Sequence, residues 1–284
     1  MLRTRLWMGA VLIALAVGVL WVDQQLAPWY PFLFVVLAGL ALAACAELLH
    51  LLGPGRRPRP GLSYLAVLAL VGANWPAHLV SSLGTAGGAW LWIAGTFAAV
   101  VLGGFLVEMA AFHESGTAVP RLALLTWVAA YLGVLSAFFA QLRWLDNPGQ
   151  GSVALALAIF VPKCCDIGAY FTGRLLGRHR LTPVLSPNET WEGAVGGLVA
   201  AALVAVALNQ LEPVVRGGFW VVAGFGLTVG LAGLIGDLAE SLIKRDCRQK
   251  DASHLVPGFG GVLDVVDSIL FAAPVTYAWL VWQP

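Results

Sequence analysis

The chain has 284 residues, of which 60% are apolar and only 11% are charged. A soluble globular domain carries about 25% charged residues, so this composition excludes a soluble enzyme, a disordered protein and a nucleic-acid-binding domain. The net charge of +1 says little, because in a membrane protein the placement of charge matters more than its sum. The sequence therefore predicts an integral membrane protein.

Nine apolar stretches are long enough to cross a bilayer as helices. They are residues 6–22, 30–52, 62–80, 89–112, 121–142, 151–172, 190–208, 218–236 and 259–282. The runs are continuously apolar and do not alternate, which favours helices over strands. The prediction is an all-α, polytopic helical bundle with about nine transmembrane helices. A cleaved signal peptide is the alternative interpretation of the first stretch, since Arg3 and Arg5 precede it.

The positions of the basic residues predict the orientation. With the N-terminus in the cytoplasm, 13 of the 16 Lys and Arg residues lie on the inner side of the membrane. Arg143 and Arg216 lie outside, and Lys163 lies within a span. Loops on the cytoplasmic side are rich in Lys and Arg, so we expect a multi-pass protein of the cell (inner) membrane with a cytoplasmic N-terminus. Residues 1–150 form the predicted N-terminal part, and residues 151–284 hold most of the polar material.

A first polar cluster lies between residues 163 and 193. Lys163 and Asp166 are spaced i,i+3 and can pair on one helical face. Ser186, Asn188 and Thr190 precede the next span, where such residues typically cap a helix. A helix N-terminus in basic surroundings also binds anions, so both interpretations stand.

A second cluster follows the eighth apolar stretch. Asp237, Glu240, Ser241 and Lys244 are spaced i, i+3, i+4 and i+7, which places them on one helical stripe. Charged groups are costly against lipid, so this stripe is expected to face the protein interior or water.

A third cluster begins with a glycine-rich segment, in which glycines permit close backbone approach or unusual dihedral angles. Asp264 and Asp267 follow, with i,i+3 spacing on the final helix. Such a pair shares a proton or holds a metal ion, and Asp237 nearby in sequence favours a divalent metal over a merely acidic helix start. Carboxylates for a cation beside Lys and Arg for phosphates suit metal-assisted phosphoryl or nucleotidyl transfer to a lipid.

The segment SLIKRDCRQKDASHLVPGFGGVLDVVDS, residues 241–268, resembles the signature of the phosphatidate cytidylyltransferase family, also called CDP-diacylglycerol synthases. The matching positions are Ser241, Lys244, Arg245, Lys250, Asp251, Pro257, Gly258, Gly260, Gly261, Leu263, Asp264 and Asp267. Residues 166–177 and 186–193 resemble the family as well. Three positions depart from it: Phe259 replaces the usual His, Val265 the usual Arg and Glu189 the usual Lys. Each departure removes a cation or a proton carrier near the expected phosphates.

The resemblance implies a catalytic region within residues 151–284. It implies that CTP and phosphatidic acid give CDP-diacylglycerol and pyrophosphate in phospholipid biosynthesis, with Mg²⁺ as cofactor and the active site on the cytoplasmic side. A second, monovalent ion and a homodimer are left open; membrane lipids are expected partners and nucleic acid is not. The implied metal ligands are Asp237, Asp264 and Asp267. The implied catalytic residues are Lys244, Arg245, Asp251 and Asp267, and the substrate-binding residues are Ser186, Asn188, Thr190, Ser241, Lys250, Gly260 and Gly261.

Other functions fit parts of the pattern. A CTP-dependent lipid kinase or a CDP-activating synthase for another polar lipid would use the same groups, and a scaffold that has lost catalysis would explain Phe259 and Val265. A transporter would line a path with acids such as Glu47 and Glu108. The charges gather at the cytoplasmic ends, which favours the enzyme, and both glutamates lie near enough to helix ends to reach the interface.

Overall fold

The structure is a computed structural model that describes residues 2–79, 88–113, 115–145, 148–253, 255–257 and 260–283. Gly258 and Phe259, singled out from the sequence, lie outside the described residues. The chain divides into two compact units. The first contains Met1–Gln141 with Ala252–Leu263, and the second contains Leu142–Asp251 with Asp264–Pro284.

Helices account for nearly all of the regular structure. In the first unit they are α1 (Leu2–Gln24), α2 (Pro31–Arg56), α3 (Pro60–Gly72), α4 (Pro76–Leu79), α5 (Gly88–Ala110), α6 (Ala118–Val128), a π-helical turn (Ala129–Val134) and α7 (Leu135–Gln141). In the second unit they are a 3₁₀ turn (Leu142–Trp144), α8 (Pro148–Leu176), α9 (Trp191–Asn209), α10 (Phe219–Asp246) and most of α11 (Leu263–Trp282). Two short strands, β1 (Arg180–Thr182) and β2 (Ser186–Thr190), lie between α8 and α9.

Within the described residues, nine helical segments are long and apolar enough to cross a membrane. They are Trp7–Gln24, Pro31–Pro54, Pro60–Leu79, Gly88–Ala110, Ala118–Trp144, Gly149–Leu176, Trp191–Asn209, Phe219–Asp246 and Leu263–Trp282. Each overlaps one predicted span, so the prediction of an all-α, multi-pass membrane protein is confirmed. The largest difference is at α10, which continues ten residues beyond the predicted end at 236. The predicted stripe of Asp237, Glu240, Ser241 and Lys244 therefore lies within α10 and not in a loop after it.

The core of the first unit is built mainly from small and aliphatic side chains. A buried cluster joins α3, α5, α6 and the turn that follows α6, and Leu70, Ile93 and Leu125 are among its members. Gly133 in the π-helical turn meets Leu70 so closely that an added Cβ would lie 2.5 Å from Leu70 Cδ1. Close approach at small residues is the usual way for membrane helices to pack.

In the second unit, α8, α9 and α10 pack through glycines. A Cβ added to Gly197 on α9 would lie 2.6 Å from the carbonyl oxygen of Cys165 on α8. One added to Gly226 on α10 would lie 2.7 Å from Ala202 Cα on α9. Larger side chains at these positions would push the helices apart, so the glycines set the spacing of the three helices.

Two expectations from the sequence need correction. Residues 180–190 form an antiparallel hairpin with Arg180 opposite Thr190, although strands were not predicted. The segment is too short for a span, and its backbone groups are paired across the hairpin. The side chains of Glu47 and Glu108 are buried, at 4% and 6% exposure, so the expectation that they reach the interface is wrong.

Candidate active site

The site begins with a close contact between α10 and α11 in the second unit. A Cβ added to Gly236 would lie 2.6 Å from the carbonyl oxygen of Asp267 and 3.1 Å from Ser268 Cα. The two helices approach at this point because residue 236 has no side chain. Asp237, the next residue on α10, is therefore brought alongside α11.

Three carboxyl groups converge there. One oxygen from each of Asp237, Glu240 and Asp267 lies within 4.8 Å of the other two. Glu240 is fully buried and Asp267 is 1% exposed, while Asp237 is partly buried. We call these residues the acidic group. Buried carboxylates at this distance repel one another unless protons or cations compensate for their charge.

Lys244 supplies one such cation. Its Nζ donates to Asp264 Oδ1 at 2.6 Å and forms an ion pair with Glu240 one helical turn earlier. The lysine is 9% exposed, so this pairing occurs in a poorly hydrated environment. The predicted stripe on α10 thus faces the protein interior at Glu240 and Lys244.

Lys163 on α8 brings a second cation to the acidic group. Its Nζ lies 3.5 Å from Asp267 Oδ1 and 3.5 Å from Asp166 Oδ2. The pairing of Lys163 with Asp166 that their spacing predicted is confirmed. Asp267 Oδ1 also accepts a 2.6 Å hydrogen bond from the backbone N–H of Ser268. Three helices of the second unit therefore contribute charged groups to one place.

Glu189 on β2 adds a further carboxyl group. Its side chain lies close enough to the Asp237 carboxyl group for the two to interact electrostatically. Glu189 Oε2 is buried and accepts no hydrogen bond from the part of the chain that the structure describes. Two facing carboxyl groups require a shared proton or a cation between them. The sequence identified Glu189 only as a departure from the family pattern.

The hairpin is fixed to the helices on both sides of it. Thr190 Oγ1 accepts a 3.1 Å hydrogen bond from the N–H of Gly193, so the prediction that Thr190 caps the following helix is confirmed. Glu192 accepts hydrogen bonds from the N–H groups of Arg178 and His179 at 3.1 and 3.2 Å. Arg245 Nε donates to the carbonyl oxygen of Leu185 in the turn between the strands, at 3.2 Å.

The remaining predicted site residues differ in their exposure to solvent. Asn188, Arg245, Lys250 and Asp251 are exposed, whereas Ser186 and Ser241 are partly buried. Asp264 is not a member of the acidic group and is joined to it through Lys244, so its role as a metal ligand stays a prediction. Glu240, which was not assigned as a ligand, is a member.

The glycine-rich segment lies in the first unit and shows both properties expected of it. Gly260 has a φ of 110°, a conformation that favours glycine. A Cβ added to Gly261 would lie 2.5 Å from Glu47 Oε2, so this backbone approaches a side chain closely. Neither observation tests the predicted contact of Gly260 and Gly261 with substrate.

The acidic group has the chemistry of a divalent cation site. Mg²⁺ prefers carboxylate oxygens and is usually bound by one or two of them together with water and substrate phosphates. Lys244 pairs with Glu240 Oε2, but Glu240 Oε1 is buried and accepts no hydrogen bond from the described residues, which is costly for a buried polar atom. The residues present therefore fit a hard divalent ion.

Comparison with known proteins identifies the family of the chain. A family model described as "Cytidylyltransferase family" matches residues 3–282. The chain belongs to the cytidylyltransferase family. The match covers both units of the chain, including the N-terminal helices, for which the sequence offered only apolar character as evidence.

Two named relatives are similar to part of this chain. A protein named phosphatidate cytidylyltransferase from Brucella suis biovar 1 (strain 1330) is 43% identical over 154 residues, which are 53% of this chain and 56% of that protein. One with the same name from Staphylococcus aureus (strain COL) is 37% identical over 145 residues, which are 51% of this chain and 54% of that protein. The chain thus matches about half the length of these relatives.

Proposed function

We propose that this protein transfers the cytidylyl group of CTP to phosphatidic acid, giving CDP-diacylglycerol and pyrophosphate for phospholipid biosynthesis. The single observation that carries the proposal is the acidic group of Asp237, Glu240 and Asp267, with Lys244 and Lys163 beside it. The proposal is further supported by the name that the two relatives share. Membrane helices around the site suit a lipid substrate.

We assign Asp237, Glu240 and Asp267 as the residues that would hold Mg²⁺. When bound, the ion supplies positive charge for the triphosphate and the pyrophosphate leaving group. Asp264 and Lys244 form the adjoining pair that keeps α10 and α11 in register at the site. Lys163 and Lys244 limit the net negative charge of the acidic group, so that an anionic nucleotide can approach.

The proposed reaction requires little proton transfer by groups of the protein. A phosphate monoester has a second pKa of about 6, so phosphatidic acid is largely a dianion at neutral pH. One of its oxygens forms a bond with the α-phosphorus of CTP while the bond from that phosphorus to the bridging oxygen of the β-phosphate breaks. The protein has to hold the two anions in line and neutralise their charge.

Cations at the end of α10 are suited to the phosphates. Arg245 donates to two carbonyl oxygens, those of Leu185 and Gln249, each at 3.2 Å. A guanidinium has five N–H donors, so Arg245 can bind phosphate while it keeps both contacts. Lys250 is exposed, and its flexible ammonium can follow the triphosphate. Ser186, Asn188, Thr190 and Ser241 remain candidates for hydrogen bonds to nucleotide or phosphate.

The distribution of basic residues supports an inner-membrane protein with its site on the cytoplasmic side. CTP is a cytosolic nucleotide, which agrees with this orientation. The proposal therefore places Lys244, Arg245 and Lys250 just beneath the headgroups of the inner leaflet.

The test uses the purified full chain in lipid nanodiscs with phosphatidic acid, Mg²⁺ and CTP labelled either at the α- or at the γ-phosphate. We expect the α-label in a lipid with the mass of CDP-diacylglycerol, and the γ-label in pyrophosphate. Appearance of the γ-label in the lipid would instead identify a CTP-dependent kinase. Absence of any lipid product, with the protein folded and Mg²⁺ present, would contradict both.

A further inference from the structure

Glu47 on α2 has no part in the function as stated so far, yet its buried carboxylate accepts three hydrogen bonds within the first unit. Its Oε1 accepts from Ser253 Oγ at 2.6 Å and from the N–H of Val262 at 2.9 Å. Its Oε2 accepts from the N–H of Leu263 at 2.8 Å. The side chain is only 4% exposed, and Ser253, Val262 and Leu263 lie more than 200 positions further along the chain.

These contacts join both ends of one segment to one carboxylate. Ser253 stands near the beginning of the segment 252–263, and Val262 and Leu263 end it. The close approach of Gly261 to Glu47 Oε2 shows that the backbone here follows the carboxylate without room for a side chain. Loop closure through a single anchor restricts the segment at its start and its end together.

Glu47 also contacts the start of α11, where the segment 252–263 ends. Leu263 is the first residue of α11, so Glu47 accepts hydrogen bonds from backbone N–H groups at the start of that helix. The first N–H groups of a helix have no partner within it, and a negative charge there is favourable to the helix dipole. Glu47 therefore caps α11 from a distant part of the chain.

Asp264 lies in the first turn of α11, and Asp267 lies three residues further along the same helix. A helix is stiff over one turn. Holding the N–H groups at the start of α11 therefore also fixes the backbone positions from which the Asp264 and Asp267 side chains project. We propose that Glu47 is a positioning residue that sets the start of α11, and through it the two acidic side chains of the site; its effect on turnover rests on the function proposed above. The residue touches neither substrate nor metal in this proposal.

The chain offers a matched control in Glu108 on α5. Glu108 is also buried, at 6% exposure, and is also in the first unit. Its described partners are Arg59, with Nε 2.9 Å from Oε1, and Arg121, with Nη1 3.6 Å from Oε2. Loss of Glu108 thus reports the cost of removing a buried, paired carboxylate whose described partners do not include the start of α11.

The experiment compares the Glu47→Gln and Glu108→Gln variants of the full chain in nanodiscs. Hydrogen–deuterium exchange of the peptide spanning 252–266 is measured first, since it does not depend on turnover. Glutamine presents an N–H₂ where a carboxylate oxygen accepted, so we expect exchange in this peptide to rise by about tenfold in Glu47→Gln and to stay unchanged in Glu108→Gln. Equal exchange in the two variants would overturn the proposal.

Binding of Mn²⁺, used as a spectroscopic probe, is measured by electron paramagnetic resonance on the same samples. We expect weaker Mn²⁺ binding in Glu47→Gln alone, and a fall in kcat of about a hundredfold, as a small misplacement of reacting groups can cause. Unchanged Mn²⁺ binding together with unchanged kcat would also overturn the proposal. If wild-type protein makes no CDP-lipid, the function proposed above fails, and the role of Glu47 is decided by exchange and Mn²⁺ binding.

A milder variant covers the case in which Glu47→Gln does not fold. Ser253→Ala removes one of the three hydrogen bonds to Glu47, together with the bond from the N–H of Leu255 to Ser253 Oγ, and leaves both backbone contacts with Glu47. We expect exchange of the 252–266 peptide to rise by a few-fold in this variant, with Mn²⁺ binding reduced less than in Glu47→Gln. No change in either measurement would count against the anchoring role.

Discussion

Lys244 Nζ lies 2.6 Å from Asp264 Oδ1 and joins α10 to α11. The same ammonium pairs with Glu240, so one cation connects Asp264 to the acidic group. The role of Asp264 as a metal ligand stays a prediction, and the contact shows that the Lys244 ammonium lies between Asp264 and Glu240. Lys244 thus joins two helices and also offsets the negative charge of the acidic group, and mutation of Lys244 tests both roles.

Replacing Lys244 with methionine should destabilise the protein and increase its dependence on divalent metal. Removing one partner of a buried ion pair leaves uncompensated charge and costs about 3–5 kcal/mol. We expect a lower melting temperature in detergent, and a larger rise of that temperature on adding Mg²⁺ than in the wild type. Lys250→Met is the control, because Lys250 is exposed; similar melting curves for both variants would contradict the proposed role of Lys244.

Gly236→Ala should separate α10 from α11. The new Cβ would lie 2.6 Å from a backbone oxygen, so a helix has to shift, and overpacking of this kind costs about 1–3 kcal/mol. We expect a lower melting temperature and weaker Mn²⁺ binding. Gly224 lies on the same helix with nothing within 4 Å of an added Cβ, so Gly224→Ala should leave both measurements near wild type. Equal effects of the two variants would show that the contact at Gly236 is not needed.

Much of this fold could be predicted from the sequence because a lipid environment permits few backbone structures. A continuous apolar run in a bilayer has to be a helix, so the nine spans followed from length and composition. The hairpin of residues 180–190 could not be predicted in this way. It lies between two spans, where water satisfies backbone groups and the constraint disappears. The end of α10 was missed for the same reason, since polar residues extend a helix beyond the apolar run that identifies it.

The site was only partly predictable. Helical spacing placed Asp237, Glu240 and Lys244 on one stripe, and that spacing is purely local. Contacts between helices, such as that of Gly236 with Asp267, determine which carboxyl groups face each other. The anchoring of Leu263 by Glu47 depends on residues 216 positions apart, and a single sequence carries no signal for such a pair.

Neutralising single members of the acidic group should weaken divalent metal binding. We expect Asp237→Asn and Asp267→Asn to raise the Mg²⁺ concentration needed for half-maximal turnover by about tenfold or more, because each removes one anionic oxygen ligand. Mn²⁺ titration followed by electron paramagnetic resonance gives a measure independent of turnover. Asp246→Asn is the control, since Asp246 ends α10 and is exposed. Unaltered metal affinity in both site variants would rule out the assignment.

Restoring the cation that the family usually carries at position 189 should help the nucleotide bind. Lys in place of Glu189 would meet the Asp237 carboxyl group as a partner of opposite charge and remove one negative charge near the triphosphate. We expect the KM for CTP to fall by about fivefold, the equivalent of about 1 kcal/mol for a partly exposed ion pair. Glu189→Gln separates the two effects, because it removes the negative charge without adding a positive one. A KM that is unchanged or higher in both variants would show that Glu189 does not face the nucleotide.

The proposed orientation can be tested with two exposed glutamines near opposite ends of α10. Gln210 follows α9 and precedes the start of α10, whereas Gln249 lies three residues beyond the end of α10. Because α10 is long and apolar enough to cross the membrane, the two positions should lie on opposite sides. We introduce Gln210→Cys or Gln249→Cys into a chain whose four native cysteines are replaced by serine or alanine. In intact cells, a membrane-impermeant maleimide should label the cysteine at 210 and reach the one at 249 only after lysis. The reverse pattern would place Lys244 and Arg245 on the outer side, away from cytosolic CTP, and would contradict the orientation on which the proposed reaction depends.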